Sequence, residues 1–233
     1  MNAPSTPALR ELLQREPERD PLRPFVGLQG LIAGLKGIEA EGVVQAGLAV
    51  ATHVMLLWTL VDREDARPHA VVEAAAQLAA CPCEPCEGAL RNALHELGAT
   101  PLEVIMNFSP PRPKASKVPW RQSPSPEAPE GGLALTLAMS AVELARLTLA
   151  QSDAAPDAGL YSLGELTKLC CLCLAEHRDP NAREPPRATD RLTGSGIGWS
   201  RRLIPADCEE IREVMRDALL EWSATRSATR SGE

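Results

Sequence analysis

The stretch from Gly42 to Val61 runs for 20 residues without a formal charge. A chain must remove such a stretch from water, and a helix of about 20 apolar residues is also long enough to span a bilayer. The polar side chains of Gln45, Thr52 and His53 interrupt it. The residues that flank it are acidic, whereas membrane helices are flanked by basic residues. We therefore expect a helix buried at the centre of the fold, and no membrane partner.

The residue types of the whole chain favour helices over strands. The chain contains 34 Ala and 32 Leu, against 25 Val, Ile, Phe, Tyr and Trp together. Unbranched and small side chains keep their rotamers in a helix, whereas β-branched and aromatic side chains favour strands. The sequence therefore predicts an all-α fold, and 233 residues are enough to bury a core without disulfide bonds.

Proline divides the chain into predicted domains. Residues 107–131 contain seven of the 21 prolines and four basic residues, with few apolar ones. Proline lacks a backbone donor and such a segment cannot pack a core, so it predicts an extended basic linker. The predicted domains are an N-terminal helical half at 1–106 and a C-terminal helical half at 132–222. A disordered tail is predicted at 223–233, where SATR occurs twice.

Helical spacing of apolar residues places individual helices in both halves. The clearest is the last helix, in which Asp207 and Glu210 resemble a capping box and the apolar residues from Ile211 to Trp222 share one face. Other predicted helices cover residues 25–38, 70–80, 133–150 and 160–176. Together they predict a helical bundle, built either as two small bundles or as one.

The two halves resemble each other faintly. GLAV at 47–50 and GLAL at 132–135 each open an apolar helix that leads through a turn to a second helix and then to a C-x-x-C pair. The offset is 85 residues at the helix start and 87 at the cysteines, and turns tolerate short insertions. The pattern predicts two related helical halves. Chance similarity in a chain rich in Ala and Leu is the alternative.

Four of the seven cysteines form two C-x-x-C pairs, Cys83 with Cys86 and Cys170 with Cys173. Four thiolates complete the tetrahedral shell of a structural zinc ion, and they also hold an iron–sulfur cluster. A complete shell leaves no position for an activated water, so such a site is structural rather than hydrolytic. We therefore predict a zinc site that holds the two halves together, with an iron–sulfur cluster as the alternative.

Two other interpretations of the cysteines remain open. Cys170 and Cys173 share a helix face with leucines, and a free cysteine packs as a small hydrophobic residue. The C-x-x-C spacing is also that of redox-active dithiols. Three interpretations of the cysteines therefore remain: ligands of a metal site, ordinary core residues, or the dithiol of a redox protein.

The net charge of −7 argues against general binding to nucleic acids, because an acidic protein does not attract a phosphate backbone. A local exception is the segment 178–202, which carries six arginines against three acidic residues. Its residues Arg191, Arg201 and Arg202 are candidate phosphate ligands. They support an alternative function, that of a nucleic-acid-associated component.

No catalytic motif accompanies these features, since the sequence has no Ser-His-Asp order, no H-E-x-x-H and no G-x-S-x-G. The first 25 residues lack the apolar core of a secretory signal, so we expect a cytoplasmic location, where cysteines stay reduced. Apolar helix faces without catalytic groups favour a non-catalytic interaction protein. Such a protein is a subunit or adaptor whose partners are other protein chains.

Overall fold

A computed structural model describes residues 6–16, 24–61, 64–98, 103–104, 129–150, 156–178 and 203–231. Within these residues no strand occurs, and the all-α fold predicted from the sequence is confirmed. The helices are α1 (Thr6–Gln14), α2 (Val26–Gly34), α3 (Ala40–Met55), α4 (Trp58–Val61), α5 (Arg67–Ala80), α6 (Glu84–Leu97), α7 (Pro129–Leu149), α8 (Pro156–Arg178) and α9 (Pro205–Ser231).

Helix α3 lies at the centre of one hydrophobic core. It packs against α5, α7, α8 and α9, while α7 and α8 pack closely against each other. Val50 of α3, Leu144 of α7, Leu166 of α8 and Ile211 of α9 are all fully buried. The two halves predicted from the sequence therefore contribute to the same core.

Most of the predicted linker lies outside the described residues. The described chain resumes at Pro129, where α7 begins, and this start lies inside the predicted linker range of 107–131. The linker and the internal duplication therefore both stay predictions.

The segment Ala40–Val61 is, among the described residues, the one helical stretch long and apolar enough to cross a membrane, with a hydropathy of 1.7. The core helix of a globular protein can have the same length and composition. In this fold, 56% of the most apolar 18-residue part of the segment is buried. The helical path breaks between Met55 and Trp58. Trp58 is buried, and its indole Nε1 donates a 2.6 Å hydrogen bond to the backbone oxygen of Asp65.

The close contact between α3 and α7 depends on Gly47. A Cβ atom on this residue would lie 2.3 Å from Cδ2 of Leu147 and 3.3 Å from Cδ2 of Leu166. Leu147 is itself buried, so it has little space into which it can move. The absence of a side chain at Gly47 therefore sets how closely the two helices approach.

Charged side chains join the ends of α3, α8 and α9. Arg178, the last residue of α8, forms ion pairs with Asp207 and Glu210 in the first turns of α9. His53 of α3 contacts the same Glu210. Asp207 is buried, and this burial raises the pKa of its carboxyl group, although the charge of Arg178 opposes the shift. These contacts fix the position at which α9 enters the bundle.

Helix α9 continues beyond the predicted end of the last helix, which corrects the sequence-based expectation. The sequence predicts a disordered tail at 223–233, whereas α9 is helical as far as Ser231. Arg226 forms ion pairs with Glu39 and Glu41 near the start of α3. These ion pairs join residues 223–231 to a distant part of the chain. The segment has no apolar face of its own that could pack against the core.

Candidate metal centre

Three cysteines meet at the turn between α5 and α6, and we call Cys81, Cys83 and Cys86 the surface cysteine cluster. Their sulfur atoms all lie within 4.8 Å of one another. The thiol of Cys81 donates to Sγ of Cys83 at 3.4 Å. Cys81 is exposed and the other two are half-buried. In the described part of the chain, no other group of three or more potential metal ligands is gathered as closely.

Two prolines shape the turn that brings these cysteines together. Pro82 follows the end of α5 and cannot extend this helix, because it has no backbone N–H. The N–H of Cys83 instead donates to the carbonyl of Cys81 at 2.8 Å. Pro85 then occupies the first turn of α6, where a helix tolerates a missing N–H. The chain therefore reverses within a few residues, and all three thiols lie around the reversal.

The three thiols differ in acidity. The pKa of Cys83 is lowered, mainly by the backbone N–H of Cys86 and also by the thiols of Cys86 and Cys81, which all interact with its sulfur. The side-chain hydrogen bond to Cys83 raises the pKa of Cys86 to about 11 and also raises that of Cys81. The cluster therefore carries negative charge most readily on Cys83, at the start of α6, where the helix dipole favours an anion.

The separations of the sulfur atoms suit a metal ion bound by three thiolates. A Zn–S bond is about 2.3 Å long, so two thiolates on a tetrahedral zinc ion lie about 3.8 Å apart. One pair in the cluster is 3.4 Å apart and no pair is more than 4.8 Å apart, so the sulfur atoms are already close to this separation. Three sulfurs on one tetrahedral ion would leave the fourth coordination position for a water molecule or a partner's side chain.

The second predicted pair of ligands, Cys170 and Cys173, lies elsewhere. Both are fully buried in α8, and Sγ of Cys173 is 3.8 Å from Oγ of Ser140 on α7. Burial raises the pKa of Cys170 to about 12, which keeps this thiol protonated. Neither residue joins the surface cysteine cluster. The structure thus brings together one of the two predicted pairs and not all four cysteines, because the leucine-lined face of α8 turns into the core.

The sequence-based ligand set contains Cys83 and Cys86 but omits Cys81. The signal for the third ligand lies in the hexapeptide C-P-C-E-P-C at 81–86, where two prolines flank the central cysteine. Pro82 prevents α5 from continuing, and Pro85 fits the first turn of a new helix, so the chain bends and the thiol on either side approaches the middle one. The positions of the two prolines, together with the spacing of the cysteines, therefore indicate that all three cysteines meet at this turn.

Two further cysteines meet inside the core. A hydrogen bond between the sulfur atoms of Cys171 on α8 and Cys208 on α9 raises the pKa of the first and lowers that of the second. Both residues are buried. This pair is therefore part of the contact between α8 and α9 and has no access to solvent.

The candidate nucleic-acid ligands Arg191, Arg201 and Arg202 lie outside the described residues. Arg178, which begins the predicted basic segment, is described, and its guanidinium group forms two ion pairs with α9. Its charge is therefore paired with carboxylates of α9 within the fold. The nucleic-acid alternative stays a prediction.

Comparison of the chain with protein-family models, with curated proteins and with solved structures finds no match. The candidate function therefore rests on the chemistry of the chain's own residues. Among the described residues, the surface cysteine cluster has the separations and the ligand type of a metal site.

Proposed function

We propose that this protein binds a zinc ion through Cys81, Cys83 and Cys86 and acts as a non-catalytic, cytoplasmic interaction protein. The observation that carries the proposal is the approach of three solvent-accessible thiols to within 4.8 Å. Thiolates select zinc and other soft or borderline ions, whereas magnesium and calcium prefer oxygen ligands. A cluster of sulfur ligands alone therefore favours zinc over the common hard cations.

A set of three protein ligands suits a zinc ion better than it suits an iron–sulfur cluster. Most iron–sulfur clusters are held by four protein ligands, and the surface cysteine cluster supplies three. Zinc accepts three protein ligands together with a water molecule or another group. An iron–sulfur protein is the alternative, and its visible absorbance distinguishes it from a colourless zinc protein.

The ligand set favours a structural or partner-binding role over hydrolysis. Three thiolates more than neutralise the charge of a Zn²⁺ ion, which weakens its ability to acidify a bound water. Such an ion instead holds the turn between α5 and α6 in one conformation. A side chain from a partner protein is able to take the fourth coordination position.

Exposed apolar side chains support the interaction part of the proposal. Leu56, which follows α3, and Leu60 in α4 are 66% and 63% exposed, and they lie four residues apart. Two highly exposed leucines this close in the sequence are candidates for contact with a partner protein, because large apolar side chains in water favour association. We call Leu56 and Leu60 the leucine patch.

The free state of the cysteines supports the cytoplasmic part of the proposal. All seven are free thiols, including the exposed Cys81. Thiols persist in a reducing compartment, whereas secreted proteins pair their cysteines in disulfides. An accessible three-thiol site therefore suits the cytoplasm.

Elemental analysis of zinc-loaded protein tests the zinc proposal. Metal-free protein is incubated with zinc, unbound metal is removed, and we expect about one zinc ion per chain, with loss of this zinc in Cys83→Ser. Cys173→Ala is the matched control, because it removes a thiol from the buried pair. Equal zinc contents in wild type and Cys83→Ser would exclude the surface cysteine cluster as the site, as would loss of zinc in Cys173→Ala alone.

Affinity purification from a cytosolic extract tests the interaction part. We expect partner proteins to be recovered with the wild type and lost with the double variant Leu56→Ser/Leu60→Ser. Leu220→Ser is the control, since Leu220 is 38% exposed on α9 and lies outside the leucine patch. Identical recovery with the wild type and the double variant would show that the leucine patch binds no partner.

A further inference from the structure

The seven cysteines divide into two groups by access to solvent. Cys170, Cys171, Cys173 and Cys208 are buried, whereas the three thiols of the surface cysteine cluster are exposed or half-buried. A small oxidant in solution therefore reaches the surface cysteine cluster first. When no metal is bound, these thiols are free to react.

We propose that the metal-free surface cysteine cluster exchanges with small-molecule disulfides, such as oxidised glutathione, and closes to a disulfide between Cys83 and Cys86. The ligand class is a low-molecular-weight disulfide, RSSR. Closure removes two of the three metal ligands, so oxidation also releases zinc. This last consequence rests on the proposed zinc site, whereas the exchange reaction does not.

The positions of the sulfur atoms support closure within the cluster. All three lie within 4.8 Å of one another, and a disulfide bond of about 2.0 Å requires only that two of them approach further. Cys83 and Cys86 are both partly exposed at the start of α6, and Cys86 also packs against the edge of the core. Closure therefore involves two side chains at the first turn of α6 and none of the fully buried cysteines.

Cys83 and Cys86 form the favoured pair, although the thiol of Cys81 also donates a hydrogen bond to Cys83 in the reduced protein. Cys81 and Cys83 are separated by Pro82 alone, and the fixed φ angle of proline limits how far this backbone adjusts to a disulfide. Cys83 and Cys86 have the two-residue separation of dithiol oxidoreductases, in which the thiols sit at the start of a helix. The ring that they close therefore meets less backbone strain.

The exchange proceeds in two balanced steps. The thiolate of Cys83 attacks one sulfur of RSSR, a bond forms between the two sulfurs, and RS⁻ leaves with the electron pair of the old S–S bond. The thiolate of Cys86 then attacks the Cys83 sulfur of this mixed disulfide and displaces the second RS⁻. The two RS⁻ groups take up the two protons that the cysteines release. The protein dithiol is oxidised to a disulfide, and RSSR is reduced to two RSH.

Mass spectrometry of the full-length, metal-free protein tests this reaction. The protein is treated with oxidised glutathione in the presence of a chelator, and intact mass and peptide maps are recorded. We expect the wild type to lose two hydrogen atoms and to yield a Cys83–Cys86 crosslinked peptide. Cys81→Ser/Cys86→Ser should stop at the mixed disulfide and gain one glutathione, because neither neighbouring thiol of the cluster remains for the second step. Cys173→Ala is the matched control and should close as the wild type does.

The outcomes separate this reaction from zinc binding. A wild type that stays fully reduced in excess oxidised glutathione, or that crosslinks through a buried cysteine, overturns the exchange proposal, even if the protein binds zinc. A metal-free protein that closes as expected but takes up no zinc supports the exchange and overturns the zinc site. With zinc bound, we expect slower closure and the release of zinc to a chromophoric chelator as the disulfide forms.

Discussion

His53 Nε2 lies 2.8 Å from Oε1 of Glu210, which is 157 residues further along the chain. Arg178 forms an ion pair with the same carboxylate. Burial disfavours the ionised form of Glu210, but the hydrogen bond to His53 and the charge of Arg178 outweigh it and lower the pKa of this carboxyl group. One carboxylate therefore joins α3, α8 and α9.

Glu210→Gln should destabilise the protein more than removal of a local surface ion pair does. We expect a loss of about 1 kcal/mol in the free energy of unfolding, because the side chains of His53 and Glu210 are each one-third exposed. Glu87→Gln is the control, since Glu87 pairs with Arg91 within α6 and such a pair contributes about 0.3–0.5 kcal/mol. Urea unfolding at neutral pH measures both. Equal losses would mean that the contacts of Glu210 with His53 and Arg178 add nothing beyond a local surface pair.

Gly47→Ala should destabilise the contact between α3 and α7. The added methyl group would lie 2.3 Å from Cδ2 of the buried Leu147, and overpacking of this kind costs about 1–3 kcal/mol. Gly164→Ala is the matched control, because a Cβ on Gly164 of α8 meets no atom within 4 Å. That variant should gain about 0.5–1 kcal/mol from the better helix propensity of alanine. Thermal unfolding compares the two, and a stabilised Gly47→Ala would contradict the close packing.

The pair between Asp65 and Arg67 should make stability depend on pH in the acid range. The side-chain hydrogen bond from Arg67, which outweighs partial burial, lowers the pKa of Asp65. A carboxyl group whose pKa is lowered on folding stabilises the protein above the ordinary carboxyl pKa of about 3.9, and this stabilisation is lost as the pH falls through the lowered value.

Asp65→Asn tests this dependence. At neutral pH we expect the variant to be less stable than the wild type by up to about 1 kcal/mol. The difference should shrink as the pH is lowered below the ordinary carboxyl pKa, because the wild-type carboxylate then becomes protonated as well. Unfolding midpoints at neutral and acid pH measure the difference. A stability difference between the variant and the wild type that grows as the pH falls would contradict a lowered pKa of Asp65 in the folded protein.

Arg226→Ala should loosen the end of α9. Arg226 forms ion pairs with Glu39 and Glu41 near α3, whereas Arg216, at a similar exposure, pairs only within its own helix. Hydrogen exchange should therefore show protected amides at 223–231 in the wild type and in Arg216→Ala, and faster exchange there in Arg226→Ala. Unprotected amides at 223–231 in the wild type would restore the disordered tail predicted from the sequence.

The helical class follows from local chemistry and was therefore predictable. Alanine and leucine dominate the chain, and the apolar residues from Ile211 to Trp222 repeat at the helical period, so the sequence predicts helices there. The extent of α9 was not predictable in the same way. Arg226 holds its last turns through Glu39 and Glu41 at the start of α3, which lie far away in the sequence.

The candidate site was also predictable only in part, because some of its features are local in the sequence and others depend on tertiary packing. The pair Cys83 and Cys86 is recognisable from its spacing, and Cys81 is recognisable from the prolines around it. Cys170 and Cys173 have the same spacing, but they lie on a helix face that tertiary packing buries. Only the three-dimensional fold distinguishes a C-x-x-C pair at a surface turn from one inside the core.

The most direct test of the zinc centre is X-ray absorption at the zinc edge of the loaded protein. We expect three sulfur ligands at about 2.3 Å and one nitrogen or oxygen ligand at about 2.0–2.1 Å. One sulfur should disappear in Cys81→Ser, and none should disappear in Cys173→Ala. Zinc coordinated by four sulfurs, or a sulfur count that falls in Cys173→Ala, would contradict a site made by Cys81, Cys83 and Cys86.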